Sequence, residues 1–194
     1  MILGTKKYAE KLLLPLARKI TKVPANLITL IGLIFAFVSF LALIYNYLIL
    51  AIFFLIFTEV FDQLDGTVAK LQGQTKFGAF LDSFLDRLGD FLIFLGIFLG
   101  GYITLNLFLI SFICAFLTSY SRAKIESLGD FSLYNVGIIE RTDRIPILII
   151  GSIFQIWFLN ALYWVIIVLT IGAIITIIQR IYFAYSKLAN KEKQ

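Results

Sequence analysis

The sequence predicts an all-α integral membrane protein, a bundle of six transmembrane helices preceded by an N-terminal amphipathic interfacial helix. Three observations lead there. Of the 194 residues, 60% are hydrophobic, and the mean hydropathy is +0.95, a balance found in membrane proteins rather than soluble domains. Apolar stretches near the ~20 residues that a spanning helix needs recur along the chain. The 17 Lys and Arg fall into clusters that these stretches separate.

Residues 5–20 interleave Lys6, Lys7, Lys11, Arg18 and Lys19 with Leu12, Leu13, Leu14 and Leu16. That pattern suits a helix lying along the interface, interrupted near Pro15 where a backbone hydrogen bond is lost. The opening MILGTKKYAEKLLLPLARK has neither the short apolar core nor the small-residue cleavage site of a secretory signal peptide. Spans follow at about 26–45, 48–69, 78–100, 102–121, 145–160 and 161–183. The organisation is then a juxtamembrane helix (1–22), a transmembrane domain (23–186) and a solvated tail (187–194).

Charge sets the topology. Every Lys and Arg lies in the N-terminal segment, in 70–87, in 122–144, or from Arg180 onward. The connections YNY (45–47), GGYITLN (100–106) and FLNALY (158–163) carry none. With an even number of spans, all charged segments share one side, which the positive-inside rule makes cytoplasmic. Gly96, Gly100 and Gly101, with Ala115 and Ser119, offer close helix packing or dimerisation. Ordinary glycine usage in membrane helices accounts for them as well and is the preferred reading.

The chain has no histidine and a single cysteine, Cys114. Internal disulfides, His-based acid–base catalysis and His-ligated zinc are excluded. Chemistry must run on carboxylates, cations, hydroxyls and metal. Nothing points to a nucleic-acid partner; membrane lipid is the expected surrounding.

Within residues 62–86, DQLDGTVAKLQGQTKFGAFLDSFLD, stand Asp62, Asp65, Asp82 and Asp86. A carboxylate near the bilayer centre costs roughly 2.5–3.5 kcal/mol on the most forgiving insertion scale. A bound cation is the most economical compensation. Asp62 and Asp65 are three apart and Asp82 and Asp86 four apart, so each pair shares a helix face and two helices could direct all four at one point. Hard oxygen ligands suit Mg²⁺ or Mn²⁺, or Ca²⁺ as an inhibitory substitute. Glu59 and Asp90 extend the two acidic faces, to orient a ligand or pair with a cation. The competing reading of the cluster is an interhelical ion-pair network with Lys70, Lys76 and Arg87.

The spacing Asp62-x2-Asp65-Gly66-x2-Ala69-Lys70-x7-Gly78-x3-Asp82-x3-Asp86 resembles the signature of the CDP-alcohol phosphotransferase family, membrane enzymes of phospholipid head-group synthesis. Pro24-Ala25-Asn26-Leu27-Ile28-Thr29 is similar to the family's Pro-Asn-x-x-Thr segment at the first span. Lys70 departs from the family's usual Arg, keeping the charge but losing the bidentate fork. The resemblance implies a homodimeric, metal-dependent enzyme holding two divalent ions. It implies Asp62, Asp65 and Asp82 as metal ligands, and Asp86 as general base that also reaches a metal. It implies CDP-lipid binding by Asn26, Thr29, Asp65, Gly66, Ala69, Lys70 and Gly78, the small residues admitting the cytidine nucleotide.

The segments Ser121-Arg122-Ala123-Lys124-Ile125-Glu126, Glu140-Arg141-Thr142-Asp143-Arg144 and Thr176-Ile177-Ile178-Gln179-Arg180 resemble the family's inositol-phosphate-using branch. The resemblance implies that Arg122, Arg141, Arg144 and Arg180 bind the acceptor's phosphate, which physically needs its own cationic pocket beside a pyrophosphate. Lys124 is a further candidate. The implied reaction moves a lipid-phosphoryl group from CDP-diacylglycerol or CDP-archaeol to inositol 1-phosphate, releasing CMP. Glycerol 3-phosphate or another alcohol is the alternative acceptor. The distant alternative is a non-catalytic intramembrane ion-binding or transport protein.

Overall fold

The structure, a computed structural model, describes residues 5–129, 133 and 136–191. Among these residues all regular structure is helical: α1 (Thr5–Lys19), α2 (Ala25–Ile44), α3 (Leu48–Gln72), α4 (Lys76–Leu99), α5 (Leu105–Leu128), α6 (Arg141–Gln155) and α7 (Ala161–Lys191). Three helical segments are long and apolar enough to cross a membrane, Ala25–Ile44, Leu105–Leu128 and Ala161–Leu188. The helices α3 and α4 carry the aspartates in the halves that meet at their shared turn.

The expected break near Pro15 is absent, because α1 runs on to Lys19. Pro15 removes only the hydrogen bond to the Lys11 carbonyl. Packing supplies the compensation, with the fully buried Ala17, and Leu13 and Ile20 beside it, set against Ile28, Leu64 and Val68. The side chains of Lys6 and Lys7 lie outside the described set.

The three uncharged connections are tight reversals. Asn46 (φ +59°), Gly101 (φ +80°) and Asn160 (φ +69°) take the left-handed conformation that ends a helix within a few residues. At the opposite end Gly73 (φ +90°) closes α3, and Thr75 caps α4 by accepting from the Gly78 N–H at 3.0 Å. This turn holds the two acidic helix halves side by side.

The core between the helices is built from Leu43, Leu55, Ile93, Phe94, Ile97, Leu148 and Ile166. Outward faces carry Ile34, Phe37, Phe84, Ile113, Val168 and Ile178, all exposed. An apolar exterior of this kind belongs in hydrocarbon. Gly96 does more than ordinary membrane-helix usage would require. A Cβ there would stand 3.1 Å from the Phe40 carbonyl and 3.2 Å from the Leu43 side chain. One at Gly100 would collide with the Leu43 carbonyl. Both let α4 approach α2 closely.

Helix ends depart from the sequence expectation. α5 continues to Leu128 and so carries Arg122, Lys124 and Glu126; α6 begins at Arg141; α7 continues to Lys191. An apolar count marks only the part of a helix suited to lipid. Lys, Arg, Glu and Gln are good helix formers and prolong it beyond that part.

Candidate active site

α3 contributes Asp62 and Asp65, and α4 contributes Asp82 and Asp86. One carboxylate oxygen from each of Asp62, Asp82 and Asp86 lies within 4.8 Å of the others. Asp65 stands outside that trio but lines the same cavities, is 3% exposed, and keeps a buried Oδ2 without a hydrogen-bond partner. These convergent hard oxygens, and a fourth carboxylate with an orphaned atom beside them, fit a divalent cation of the Mg²⁺ or Mn²⁺ type.

Arg141, from the first turn of α6, is a cation that pairs with this cluster. Its Nη1 lies 3.1 Å from Asp62 Oδ1 and 2.7 Å from Asp86 Oδ2. Nη2 also donates to Asp62 Oδ1, at 3.1 Å. Arg141 thus sits among the aspartates, its Nε 3.9 Å from Asp90 Oδ2, the oxygen that Arg144 also reaches, and apart from Arg122 and Arg180. Arg87 donates to Ser83 on its own helix, and Lys70 lines the aspartate cavity from α3. Glu59 accepts from Gln63 at 2.8 Å, and with Asp90 lines a narrow interior extension behind Asp86.

Asn26, Thr29, Asp65, Gly66, Ala69 and Gly78 border one cavity of about 200 Å³ between α2, α3 and α4. Lys70 borders an adjoining cavity of about 200 Å³ together with Asp62, Asp82, Asp86 and Arg141. The two glycines serve differently. A Cβ at Gly66 would meet nothing within 4 Å, so its face is open to the cavity. A Cβ at Gly78 would stand 2.9 Å from Thr75 Oγ1 and 3.1 Å from Asn26 Oδ1. There the missing side chain preserves the α4 cap and the seat of Asn26.

The second basic group lies between α5, α6 and α7. Arg180 is 1% exposed. Its Nε donates to the Val136 carbonyl at 2.9 Å, its Nη1 to the Thr118 carbonyl, and its Nη2 to Glu140 Oε1 at 3.5 Å. Arg122 reaches the same carboxylate, 3.4 Å from Oε2, and pairs with Glu126 at 3.2 Å. Thr176 fixes the approach to α6, since its Oγ1 accepts from the N–H groups of Ile138 and Ile139, both at 3.1 Å. The backbone N–H of Glu140 is taken by Asp143 Oδ2 at 3.1 Å, half of a capping box. Lys124 is exposed on α5.

Arg144 differs from the grouping expected for it. Only 3% exposed, it bonds Asp90 on α4 and the Ala115 carbonyl on α5 at 3.3 Å. Glu140 and Asp143, its near neighbours in sequence, serve other partners. Asp90 therefore does pair with a cation. The pair sits inside the bundle, where leaving one charge alone is costly.

Sequence reasoning missed Glu140 as the shared partner of two arginines and Gln72 as a tie between helices. For Gln72 a signal existed: Pro24 begins α2 and has no side chain able to cap it.

The CDP-alcohol phosphatidyltransferase family model matches residues 22–178. The archaetidylinositol phosphate synthase of Methanothermobacter thermautotrophicus is 38% identical over 90% of this chain and 89% of its own length. That of Pyrococcus horikoshii is 36% identical over 84% of each. The crystal structure of Mycobacterium tuberculosis phosphatidylinositol phosphate synthase with CDP-DAG bound superimposes with a TM-score of 0.77 at 26% identity, covering 90% of this chain and 94% of that one. A second crystal structure of the same protein, in complex with manganese and citrate, gives 0.76. A purely ion-binding role is set aside: the chain belongs to the CDP-alcohol phosphatidyltransferase family of metal-dependent membrane enzymes.

Proposed function

We propose that this protein transfers a lipid-phosphoryl group from a CDP-lipid to inositol 1-phosphate and releases CMP. The observation that carries the acceptor is the convergence of Arg122 and Arg180 on Glu140, one residue from Arg141 in the aspartate cluster. An acid-rich site and an arginine site with its own counter-charges thus meet at the start of α6. The names of the archaeal and mycobacterial relatives, archaetidylinositol phosphate synthase and phosphatidylinositol phosphate synthase, support the same choice.

In this reading the cytidine nucleotide occupies the cavity of Asn26, Thr29, Gly66, Ala69 and Gly78, with Lys70 beside the phosphates. Asp62, Asp65, Asp82 and Asp86 hold Mg²⁺ or Mn²⁺, with two ions expected. Metal bound there supplies charge neutralisation to the pyrophosphate and the departing CMP. Arg122 and Arg180 bind the acceptor's phosphate by charge-assisted hydrogen bonds, and Arg141 stands between the two substrates. Asp86 takes the proton of the acceptor hydroxyl. That oxygen bonds to the lipid-bearing phosphorus as the bridging P–O bond breaks. Arg144 positions α6 through Asp90.

The proposal includes six spanning helices, α2 to α7, with α1 along the interface and the active site facing the cytoplasm. It includes a homodimer, by resemblance to related enzymes. The test is an assay of purified protein with CDP-diacylglycerol or CDP-archaeol, Mg²⁺ or Mn²⁺, and a panel of acceptors. CMP release with inositol 1-phosphate is expected. Turnover with serine or glycerol 3-phosphate and none with inositol 1-phosphate would sink the acceptor assignment.

A further inference from the structure

The start of α2 is held by the end of α3. Gln72 is the last residue of α3, and its carboxamide spans the connection between α1 and α2. Nε2 donates to the carbonyls of Thr21 at 2.9 Å and Val23 at 2.6 Å, while Oε1 accepts from the Ala25 N–H at 3.2 Å. The Ala25 N–H is among those that a helix start leaves without an intrahelical acceptor. Pro24 precedes it and makes no side-chain cap. Gln72 supplies from another helix what residue 24 cannot. Gly73 turns the chain away at φ +90° immediately afterwards, so Gln72 is the last α3 side chain available for the task.

The segment fixed in this way opens with Asn26 and Thr29. Both line the cavity that Gln72 itself borders, facing Asp65, Gly66 and Gly78. The seat is tight on the α4 side, where Asn26 Oδ1 would lie 3.1 Å from a Cβ placed on Gly78. A small shift of the α2 start relative to α3 would therefore change the cavity's width. The side chain of Gln72 is exposed, a location where glutamine ordinarily samples many rotamers. Here both amide protons and the carbonyl oxygen are engaged.

We propose that Gln72 is a positioning residue for the nucleotide end of the CDP-lipid, setting Asn26 and Thr29 against α3 by capping α2 from outside. The inference rests on the nucleotide reading of this cavity. Its link to the metal site runs through Thr29, which hydrogen-bonds Asp65, so metal binding should change far less than nucleotide binding. Arg122, Arg180 and Glu140 stand on α5, on α7 and at the start of α6, away from Gln72.

Gln72→Met keeps side-chain length and helix preference while removing all three hydrogen bonds. The experiment measures CMP and Mn²⁺ binding to the detergent-solubilised wild-type and variant proteins, their melting temperatures, and KM for CDP-lipid and acceptor. Weakening of CMP binding by about fivefold to tenfold is expected. The KM for CDP-lipid should rise in parallel, with kcat and acceptor KM unchanged, Mn²⁺ affinity changed far less than CMP affinity, and the melting temperature lowered by only a few degrees. Wild-type CMP binding that Gln72→Met leaves intact overturns this inference alone. Parallel loss of CMP binding, Mn²⁺ binding and melting temperature marks a general structural role and overturns it too. A wild-type protein that binds no CMP overturns the nucleotide reading, and this inference with it.

Discussion

Where α3 meets α4, Asp62 and Asp86 hold Arg141 between them, and Asp65 and Asp82 line the same cavity. Where α5 meets α7, Arg122 and Arg180 share Glu140, and Arg122 also holds Glu126. The first region is rich in acid beyond what its guanidinium neutralises. The second carries its own counter-charges. An acid-rich region retains attraction for cations, as a metal site must. A self-neutralised one binds an anion only in competition with its own carboxylates, so its hold on a phosphate should be moderate and specific. Under the proposed function, the contrast separates residues that perform the reaction from residues that select a partner for it.

That separation can be broken experimentally. The largest effect is expected from Asp86→Asn, which should lower turnover by roughly 10²- to 10⁴-fold while CMP binding changes little. Single-turnover kinetics beside CMP titration would check it, and equal losses in both would remove Asp86 from the role of base. Next comes the buried pair: Asp90→Ala leaves Arg144 without its partner and should destabilise by about 3–5 kcal/mol. Thermal melting in detergent reads that loss, and Asp90→Leu with Arg144→Leu should recover most of it. Arg180→Ala should raise the acceptor KM by about 10- to 100-fold and leave the CDP-lipid KM near its starting value. A rise in both would merge the two regions into one. The smallest effect belongs to Arg122→Ala, about threefold to tenfold on acceptor KM, since its side chain is 37% exposed and solvent screens its charge.

Legibility in the sequence followed locality. The helices α2 to α7 stood out as apolar runs, and the Asp62 and Asp65 pair and the Asp82 and Asp86 pair stood out by helical spacing. The cavity of Asn26, Thr29, Gly66, Ala69 and Gly78 was legible through motif resemblance. What was hidden depends on contacts between distant helices. Arg141 meets Asp62 across 79 residues, and Arg144 meets Asp90 across 54. Arg141 and Arg144 share a face of α6 and both reach Asp90 Oδ2, but Arg141 extends to Asp62 and Asp86, so the motif alone put them in one group with Arg122 and Arg180. Pro15 misled for a related reason, since the α1 helix is secured by packing on α3 that periodicity along α1 alone does not reveal.

Glu140 couples α5, α6 and α7 through one residue. Its backbone starts α6 under the Asp143 carboxylate, and its side chain, 5% exposed, lies between Arg122 and Arg180. Removing Glu140 alone strands the buried Arg180, and removing Arg180 leaves Glu140 with Arg122 as its remaining arginine, so each substitution by itself passes through a weakened protein. A descendant shifting to an uncharged acceptor would need coordinated changes on α5, α6 and α7. Acceptor preference should then drift slowly between lineages, and when it changes, position 140 should change together with the arginines around it.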